Sequence, residues 1–186
     1  MTQLSQVQAI IAADPLRSRI LRLVQELELP DCWVAAGFVR SAIWDHLHQR
    51  STSPLPLDVD VIWFDSGRAS AELDSHIEAA LRCKDQTIGW SVKNQARMHF
   101  RNGDSSYSSA VDAMTHWPET ATAAAVRLGV GGMVEVAAPL GLDDLFNLVV
   151  RPTAKFQADK RQVYLNRLRS KKWLETWPNL KIVPID

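Results

Sequence analysis

The chain has 186 residues, with 21 Lys and Arg against 21 Asp and Glu, so its formal net charge is zero. That length predicts one domain, and 46% hydrophobic with 23% charged residues is typical of a globular protein. Zero net charge argues against a protein that holds bulk DNA or other nucleic acid by charge alone. The charge is nevertheless uneven: residues 1–150 carry 12 basic and 18 acidic residues, whereas residues 151–172 carry 8 and 1.

Targeting and cysteine patterns indicate the compartment. The N-terminus lacks a basic segment followed by an apolar stretch, so we expect no signal peptide, and no apolar run is long enough to span a membrane. Two cysteines, Cys32 and Cys83, are too few for a disulfide scaffold or a zinc knuckle. We therefore expect a cytoplasmic protein with no membrane partner.

Hydrophobic periodicity predicts alternating helices and strands. In chain order we expect a helix over 16–27, a strand over 32–37, a helix over 37–49, a loop over 49–56, a strand over 57–64 and a helix over 70–81. Strands over 90–100 and 108–114, strands around Val126 and Val134, and helices over 142–149 and 156–173 follow. This order predicts an α/β or α+β domain with a helical C-terminal segment.

Two aspartates, Asp58 and Asp60, interrupt the apolar strand predicted over 57–64. Side chains at i and i+2 of a strand share a face, so both carboxylates point the same way. Neighbouring carboxylates repel, and burying them unpaired is costly, whereas Mg²⁺ binds carboxylate oxygens together with substrate phosphate oxygens. The alternative is that one Asp caps the strand and the other faces solvent, which is common for an isolated D-x-D.

The unit just upstream predicts a phosphate site. A buried strand runs through Gly37 into a helix that carries Arg40 and Ser41 in its first turn. A helix N-terminus presents free backbone N–H groups, glycine permits close approach, and arginine adds a charge-assisted contact. The alternative for Gly37 is a simple strand-to-helix turn, but a phosphate cradle followed by paired carboxylates suits phosphoryl or nucleotidyl transfer.

Gly37-Phe38, Arg40 and Asp58-Val59-Asp60-Val61 resemble the nucleotidyltransferase fold of the DNA polymerase beta superfamily. Six blocks in the same order, from about Leu29 to the C-terminus, resemble a little-characterised bacterial nucleotidyltransferase family: AGFVRSAIWDHLH, PLDVDVIWFD, WSVKNQARMH, VDAMTHWPETATA, APLGLDDLFNLVVRPT and KKWLETWPNLKI. The resemblance implies a mixed β-sheet flanked by helices. It also implies a catalytic domain over 1–150 and a helical extension over 151–186 packed on it.

The activity implied by the resemblance is transfer of an NMP unit from an NTP to an acceptor hydroxyl or phosphate, with Mg²⁺ or Mn²⁺ and release of pyrophosphate. The acceptor, whether small molecule, RNA or protein, is left open. The alternative is a catalytically weak nucleotide-binding or interaction module on the same fold. Phe38, which replaces the small residue usual in the superfamily, favours this alternative.

The resemblance further implies three acidic metal ligands. Asp58 and Asp60 are two of them, and the third is Asp112 or Glu135, each between apolar neighbours of a predicted strand. We favour Asp112, so the predicted catalytic and metal-binding set is Asp58, Asp60 and Asp112. The predicted nucleotide and phosphate set includes two cations that share a strand face at i and i+4, although solvent exposure is an equal alternative for both. This set consists of Gly37, Phe38, Arg40, Ser41, Lys93 and Arg97.

The basic segment 151–172 has two interpretations. A solvated helix face is the commoner one. The functional one is a rim that attracts nucleotide phosphates, or an RNA acceptor, towards the acidic catalytic face.

Overall fold

A five-stranded mixed sheet lies at the centre of the fold, with helices on its faces. The computed structural model describes residues 1–185. The strands are β1 (Trp33–Ala35), β2 (Val59–Trp63), β3 (Trp90–Asn94), β4 (Ala125–Leu128) and β5 (Val134–Ala137), in the spatial order β3-β2-β1-β4-β5. Strands β2 and β3 are parallel and the other neighbours are antiparallel. The predicted mixed sheet flanked by helices is therefore confirmed.

Ten α-helices lie within the described residues, several of them only one turn long. They are α1 (Gln3–Ala13), α2 (Pro15–Gln25), α3 (Gly37–Leu47), α4 (Ala71–Lys84), α5 (Met98–Asn102), α6 (Ala110–Met114), α7 (Asp143–Phe146), α8 (Ala154–Gln157), α9 (Arg161–Lys171) and α10 (Trp173–Thr176). Single 3₁₀ turns occupy Ser66–Arg68, Gln95–Arg97, Thr120–Thr122 and Val130–Gly132, and a small parallel sheet joins β6 (Val149–Val150) to β7 (Lys181–Ile182). None of the helices in residues 1–185 has the length and apolar character needed to cross a membrane.

The C-terminal helices contribute to the main core. Trp44 of α3 is fully buried, and the rings of Trp173 and Trp177 pack edge-on against it at centroid distances of 5.7 and 5.1 Å. Aromatic pairs of this geometry stabilise a core beyond the burial of their area alone. Residues after 150 thus share a hydrophobic cluster with the central strands.

Local hydrogen bonding explains several differences from the predicted elements. The segment 108–114 was predicted as a strand, but it forms α6 because the Ser109 hydroxyl caps the helix by accepting a 2.9 Å hydrogen bond from the Asp112 amide. Strand β3 ends at Asn94, whose side chain accepts from the Ala96 amide and starts a 3₁₀ turn where a strand to residue 100 was expected. Helix 156–173 is interrupted between α8 and α9, helix 142–149 shortens to α7, and α1 was not predicted.

Candidate active site

A cleft of about 770 Å³ runs between the sheet and the C-terminal helices. The described lining residues hold one carboxylate, that of Asp60, and four basic side chains, those of Lys93, Arg101, Lys160 and Arg167. The other lining residues are Ala36, Ile62, Ser91, Gln95, Met98, Asn102, His116, Trp117, Pro118, Thr122, Phe156, Val163 and Ser170. A basic cavity with a single acidic wall suits an anionic ligand that arrives with a cation.

Asp60 marks the acidic wall of the cleft, and Asp58 lies beside it in the chain. Asp60 is half-buried on β2, opposite Ala35 of β1 and Ser91 of β3, whereas Asp58 is exposed just before the strand begins. Burial raises the pKa of the Asp60 carboxyl, and the neighbouring Asp58 raises it further. The Ser91 hydroxyl and the Arg40 and Arg167 guanidinium groups act in the opposite direction.

Gly89 allows the start of β2 to lie close to the residue before β3. A Cβ at position 89 would lie 2.1 Å from the Leu57 carbonyl oxygen and 3.6 Å from Asp58 Oδ1. The Val59 amide donates a 2.7 Å hydrogen bond to the Gly89 carbonyl across the same junction. The absence of a side chain at Gly89 therefore fixes where the Asp58 backbone can lie.

The donor set fits a divalent cation of the Mg²⁺ type. Asp58 makes ionisation of Asp60 less favourable, and a cation bound to both carboxylates would offset that repulsion. Mg²⁺ commonly takes one or two protein carboxylates and completes its coordination with waters and substrate phosphates. Within residues 1–185 no group of three His, Cys, Asp or Glu side chains is placed to hold a metal. The fit therefore rests on the Asp58 and Asp60 pair.

The two candidates for a third acid have other partners. Asp112 lies on α6, and its Oδ2 accepts 2.8 and 3.0 Å hydrogen bonds from the amide and hydroxyl of Ser108. Glu135 lies on β5 and accepts a 2.7 Å hydrogen bond from Nε of Arg127 across the β4–β5 pair. The described residues do not bring either of them into a three-residue group with the aspartate pair.

The turn from β1 into α3 lies at the edge of the cleft. Ala36 lines the cleft and adopts φ 56° and ψ −119°, a conformation that is strained for a residue with a Cβ. The first hydrogen bond of α3 runs from the Arg40 amide to the Ala36 carbonyl at 2.9 Å, and no side chain caps the helix. The amides of residues 37–39 thus precede the helical ladder, as a phosphate cradle requires. A Cβ at Gly37 would lie 3.2 Å from Pro56 and 3.5 Å from the Arg40 guanidinium.

The side chains of the first turn of α3 point inward. Phe38 is fully buried in the main core, and its carbonyl accepts a 3.3 Å hydrogen bond from Nε of Arg17. Ser41 is also buried. Phe38 therefore does not crowd the cleft, although its amide belongs to the helix N-terminus described above.

Arg40 is a buried arginine behind the cleft. Its guanidinium donates a 3.1 Å hydrogen bond to the Thr122 hydroxyl and stacks over the rings of Trp173 and Trp44, at 4.6 and 5.2 Å. Burial lowers the pKa of Arg40 to about 10 against the attraction of Glu119, and the like charge of Arg167 acts in the same direction as burial. Arg40 is therefore a fixed positive charge close to Asp60.

Lys93 and Arg97 do not share a face, because β3 ends at Asn94. Lys93 lines the cleft. Arg97 is ion-paired with the buried Asp74, whose carboxylate also accepts a 2.8 Å hydrogen bond from the Trp63 indole. The structure thus brings Lys93 to the predicted site and places Arg97 in the packing of α4 against the sheet.

The predicted site residues leave out the side chains that α9 contributes to the cleft, because the sequence singled out the basic segment 151–172 only as a whole. Lys160, Val163, Arg167 and Ser170 at the start of and along α9 all line the cleft. Their i, i+3, i+7, i+10 spacing marks one helix face. That spacing was available in the sequence, and it favours the functional interpretation of the basic segment. Arg101, Asn102 and His116 carried no such pattern.

Comparisons with known proteins found a family model and several solved structures of similar fold. A family model described as nucleotidyltransferase matches residues 22–182. A protein whose NMR structure is described as revealing a CCA-adding enzyme head domain is 36% identical, with a TM-score of 0.86 over 96% of this chain and 95% of that one. No curated protein matches the chain.

More distant solved structures share the fold. The Thermotoga maritima CCA-adding enzyme complexed with tRNA is 15% identical, with a TM-score of 0.60 over 98% of this chain and 43% of that one. The Bacillus stearothermophilus CCA-adding enzyme in complex with CTP is 15% identical, with a TM-score of 0.55 over 92% and 42%. The chain thus spans less than half the length of these two enzymes. Because the family model covers residues 22–182 of 186, the chain belongs to the nucleotidyltransferase family.

Proposed function

We propose that the protein is a divalent-metal-dependent enzyme that transfers an NMP unit from an NTP to an acceptor hydroxyl or phosphate and releases pyrophosphate. The observation that carries the proposal is Asp60, with Asp58 beside it, in a cleft whose other charged lining residues are basic. Two structures of similar fold are described with CTP and with tRNA, which supports an NTP as donor. The acceptor of this chain is left open.

Asp58 and Asp60 are the residues that would hold Mg²⁺ or Mn²⁺. When bound, such a cation supplies Lewis-acid stabilisation of phosphoryl oxygens and lowers the pKa of a coordinated hydroxyl. The raised pKa of Asp60 follows from burial and from Asp58. A cation would therefore stabilise the pair most at a pH where both carboxyls are ionised.

The other residues of the cleft bind and orient the donor. The N-terminal end of α3, which reaches the cleft at Ala36, and the Lys93 side chain, which lines it, would bind the donor phosphates. Holding the donor phosphate in a fixed orientation lowers the activation barrier, because the entropy of orienting the reactants is lost on binding and not in the chemical step. Arg40, which is buried, contributes a fixed positive charge from behind the cleft.

A second candidate function is a nucleotide-binding module with weak catalysis. It is favoured by one observation: within residues 1–185 no third carboxylate joins Asp58 and Asp60. Such a module would bind NTP in the same cleft and would not transfer label.

Label transfer distinguishes the two functions. We would incubate the protein with each α-³²P-labelled NTP, Mg²⁺ or Mn²⁺, and separate small-molecule, RNA and protein fractions of a cell extract. Asp58→Asn and Asp60→Asn should each lower transfer by at least about 100-fold, since a metal supplies several kcal/mol of transition-state stabilisation. Asp143→Asn is the matched control, because this exposed aspartate of α7 only accepts a hydrogen bond from Gln3.

Binding measurements complete the test. NTP binding by equilibrium dialysis, without transfer to any fraction, would support the module and contradict the enzyme. Absence of NTP binding by the wild-type protein with either metal would overturn both proposals. Equal loss of transfer in Asp143→Asn would show that the aspartate variants act through folding.

A further inference from the structure

The charged side chains between α9 and the sheet form a connected group. Nε of Arg167 donates a 2.6 Å hydrogen bond to Oε1 of Glu119, which is fully buried. The Arg167 side chain is 28% exposed, lines the cleft, and stacks over the Trp173 ring at 5.6 Å. Among residues 1–185 its hydrogen bonding uses Nε alone, so both terminal nitrogens remain available to the cleft.

The charges of this group leave an excess of one positive charge beside the aspartates. Glu119 is hydrogen-bonded to Arg167 and attracts the charge of Arg40, and both arginines are also close enough to Asp60 to lower its pKa. Asp60 is the second carboxylate near the two arginines. A divalent cation bound to Asp58 and Asp60 would neutralise it. The group would then be short of one negative charge, which an anionic ligand in the cleft supplies.

Packing orients Arg167 before any ligand binds. The Glu119 contact fixes one edge of the planar guanidinium, and the Trp173 ring supports its face. Arginine held in this way can offer two parallel N–H groups to a phosphate at little further cost in side-chain entropy. Arg169, two residues along α9, is exposed and does not line the cleft.

We propose that Arg167 binds the polyphosphate of the donor nucleotide from the α9 side of the cleft, and that Glu119 is the positioning residue that holds it there. The inference rests on the proposed function, because it assigns a ligand to the same cleft. It gives the basic C-terminal helix a direct contact with substrate. The Lys93 side of the cleft would then hold the same polyphosphate from the opposite wall.

The test measures binding of inorganic tripolyphosphate and of NTP, each with Mg²⁺, by isothermal titration calorimetry. Arg167→Lys keeps a cation for Glu119 but loses the paired N–H groups, and should weaken tripolyphosphate binding about tenfold. Glu119→Gln keeps an acceptor for Arg167 Nε and should bind within about threefold of wild type, as expected for conservative rescue of a positioning role. Arg169→Met is the matched control and should bind as the wild type does.

A double variant separates binding from folding. Arg167→Met alone would leave Glu119 as a buried unpaired charge, whereas Glu119→Gln combined with Arg167→Met removes both charges. The double variant should unfold near the temperature of Glu119→Gln yet bind tripolyphosphate at least about tenfold more weakly. Wild-type affinity in the double variant or in Arg167→Lys would overturn the inference. If the wild-type protein itself bound neither NTP nor tripolyphosphate, the proposed function and this inference would both fail.

Discussion

The indole Nε1 of Trp177 donates a 2.8 Å hydrogen bond to Oδ1 of Asp45, on α3. Asp45 is buried and also accepts from Nε of Arg50 at 3.0 Å and from the Ser53 hydroxyl at 2.9 Å. The same Trp177 packs on Trp44. The residue after α10 is therefore bound, by both polar and apolar contacts, to the helix that begins at the cleft.

Replacing Trp177 by Phe tests whether this contact stabilises the whole domain. Trp177→Phe keeps an aromatic ring against Trp44 but leaves Oδ1 of Asp45 with one donor fewer. We expect the free energy of unfolding in urea to fall by about 1–3 kcal/mol. Leu174→Ala, on the half-exposed face of α10 (48% exposed), should change it by about 0.5 kcal/mol or less. An equal effect of the two variants would mean that Trp177 does not contribute to the cooperative unit.

Gly89→Ala should disturb the metal site through the backbone. The new Cβ would meet the Leu57 carbonyl oxygen at 2.1 Å, so the start of β2 must move, and Asp58 with it. We expect a loss of about 1–3 kcal/mol in stability, typical of overpacking, and a weaker increase of the melting temperature on addition of Mn²⁺.

Gly67→Ala is the control for this change. Its Cβ would approach only the Asp65 side chain, at 3.3 Å, in a turn remote from the aspartate pair. Its Mn²⁺-dependent shift should equal that of the wild type. If Gly89→Ala also kept the full shift, the position of Asp58 would not depend on the close approach at Gly89.

Neutralising the two candidate third acids should leave metal binding intact. Asp112→Asn and Glu135→Gln each remove a charge whose partners, Ser108 and Arg127, lie outside the aspartate pair. Stability should fall by about 1 kcal/mol or less for the half-buried Glu135 pair, and somewhat more for Asp112, which accepts from a backbone amide. Mn²⁺ affinity measured by electron paramagnetic resonance should change less than about twofold in both. A large loss for either variant would identify it as the third ligand.

The sequence pattern predicted the parts of the fold that depend on local periodicity. Strand β2 with Asp60, the turn at Gly37 and helix α3 follow from apolar runs and a glycine, and all lie where expected. Segment 108–114 does not, because a Ser109 cap stabilises a helix that its apolar alternation does not reveal. Local capping outweighed periodicity there.

Long-range pairing determined which cations reach the cleft, and it could not be predicted from one sequence. Arg97 lies four residues after Lys93 and was predicted to bind phosphate with it. The buried Asp74, 23 residues earlier, binds Arg97 instead. Arg167 was one of several basic residues in a charged helix, and only its contact with Glu119, 48 residues earlier, distinguishes it. Charge alone identified the basic segment, whereas tertiary contacts identified the residue.

Asp60→Asn should stabilise the metal-free protein near neutral pH while lowering transfer. The folded state raises the pKa of Asp60, by burial and by repulsion from Asp58, so the folded protein binds the proton more tightly than the unfolded chain does. Stability then falls as pH rises from the unfolded pKa of about 3.9 through the higher folded pKa, and the loss persists above it. Asparagine cannot ionise and avoids that loss.

The pH dependence of unfolding checks this sign. In urea titrations with EDTA, the difference in unfolding free energy between Asp60→Asn and wild type should be smallest at acid pH and should grow towards pH 7. Mn²⁺ should stabilise the wild type and reduce the difference, because the cation binds the ionised pair and not the amide variant. A difference that stayed constant across pH would show that Asp60 titrates alike in the folded and unfolded chains. The site would then lack the like-charge repulsion that gives a divalent cation its advantage there.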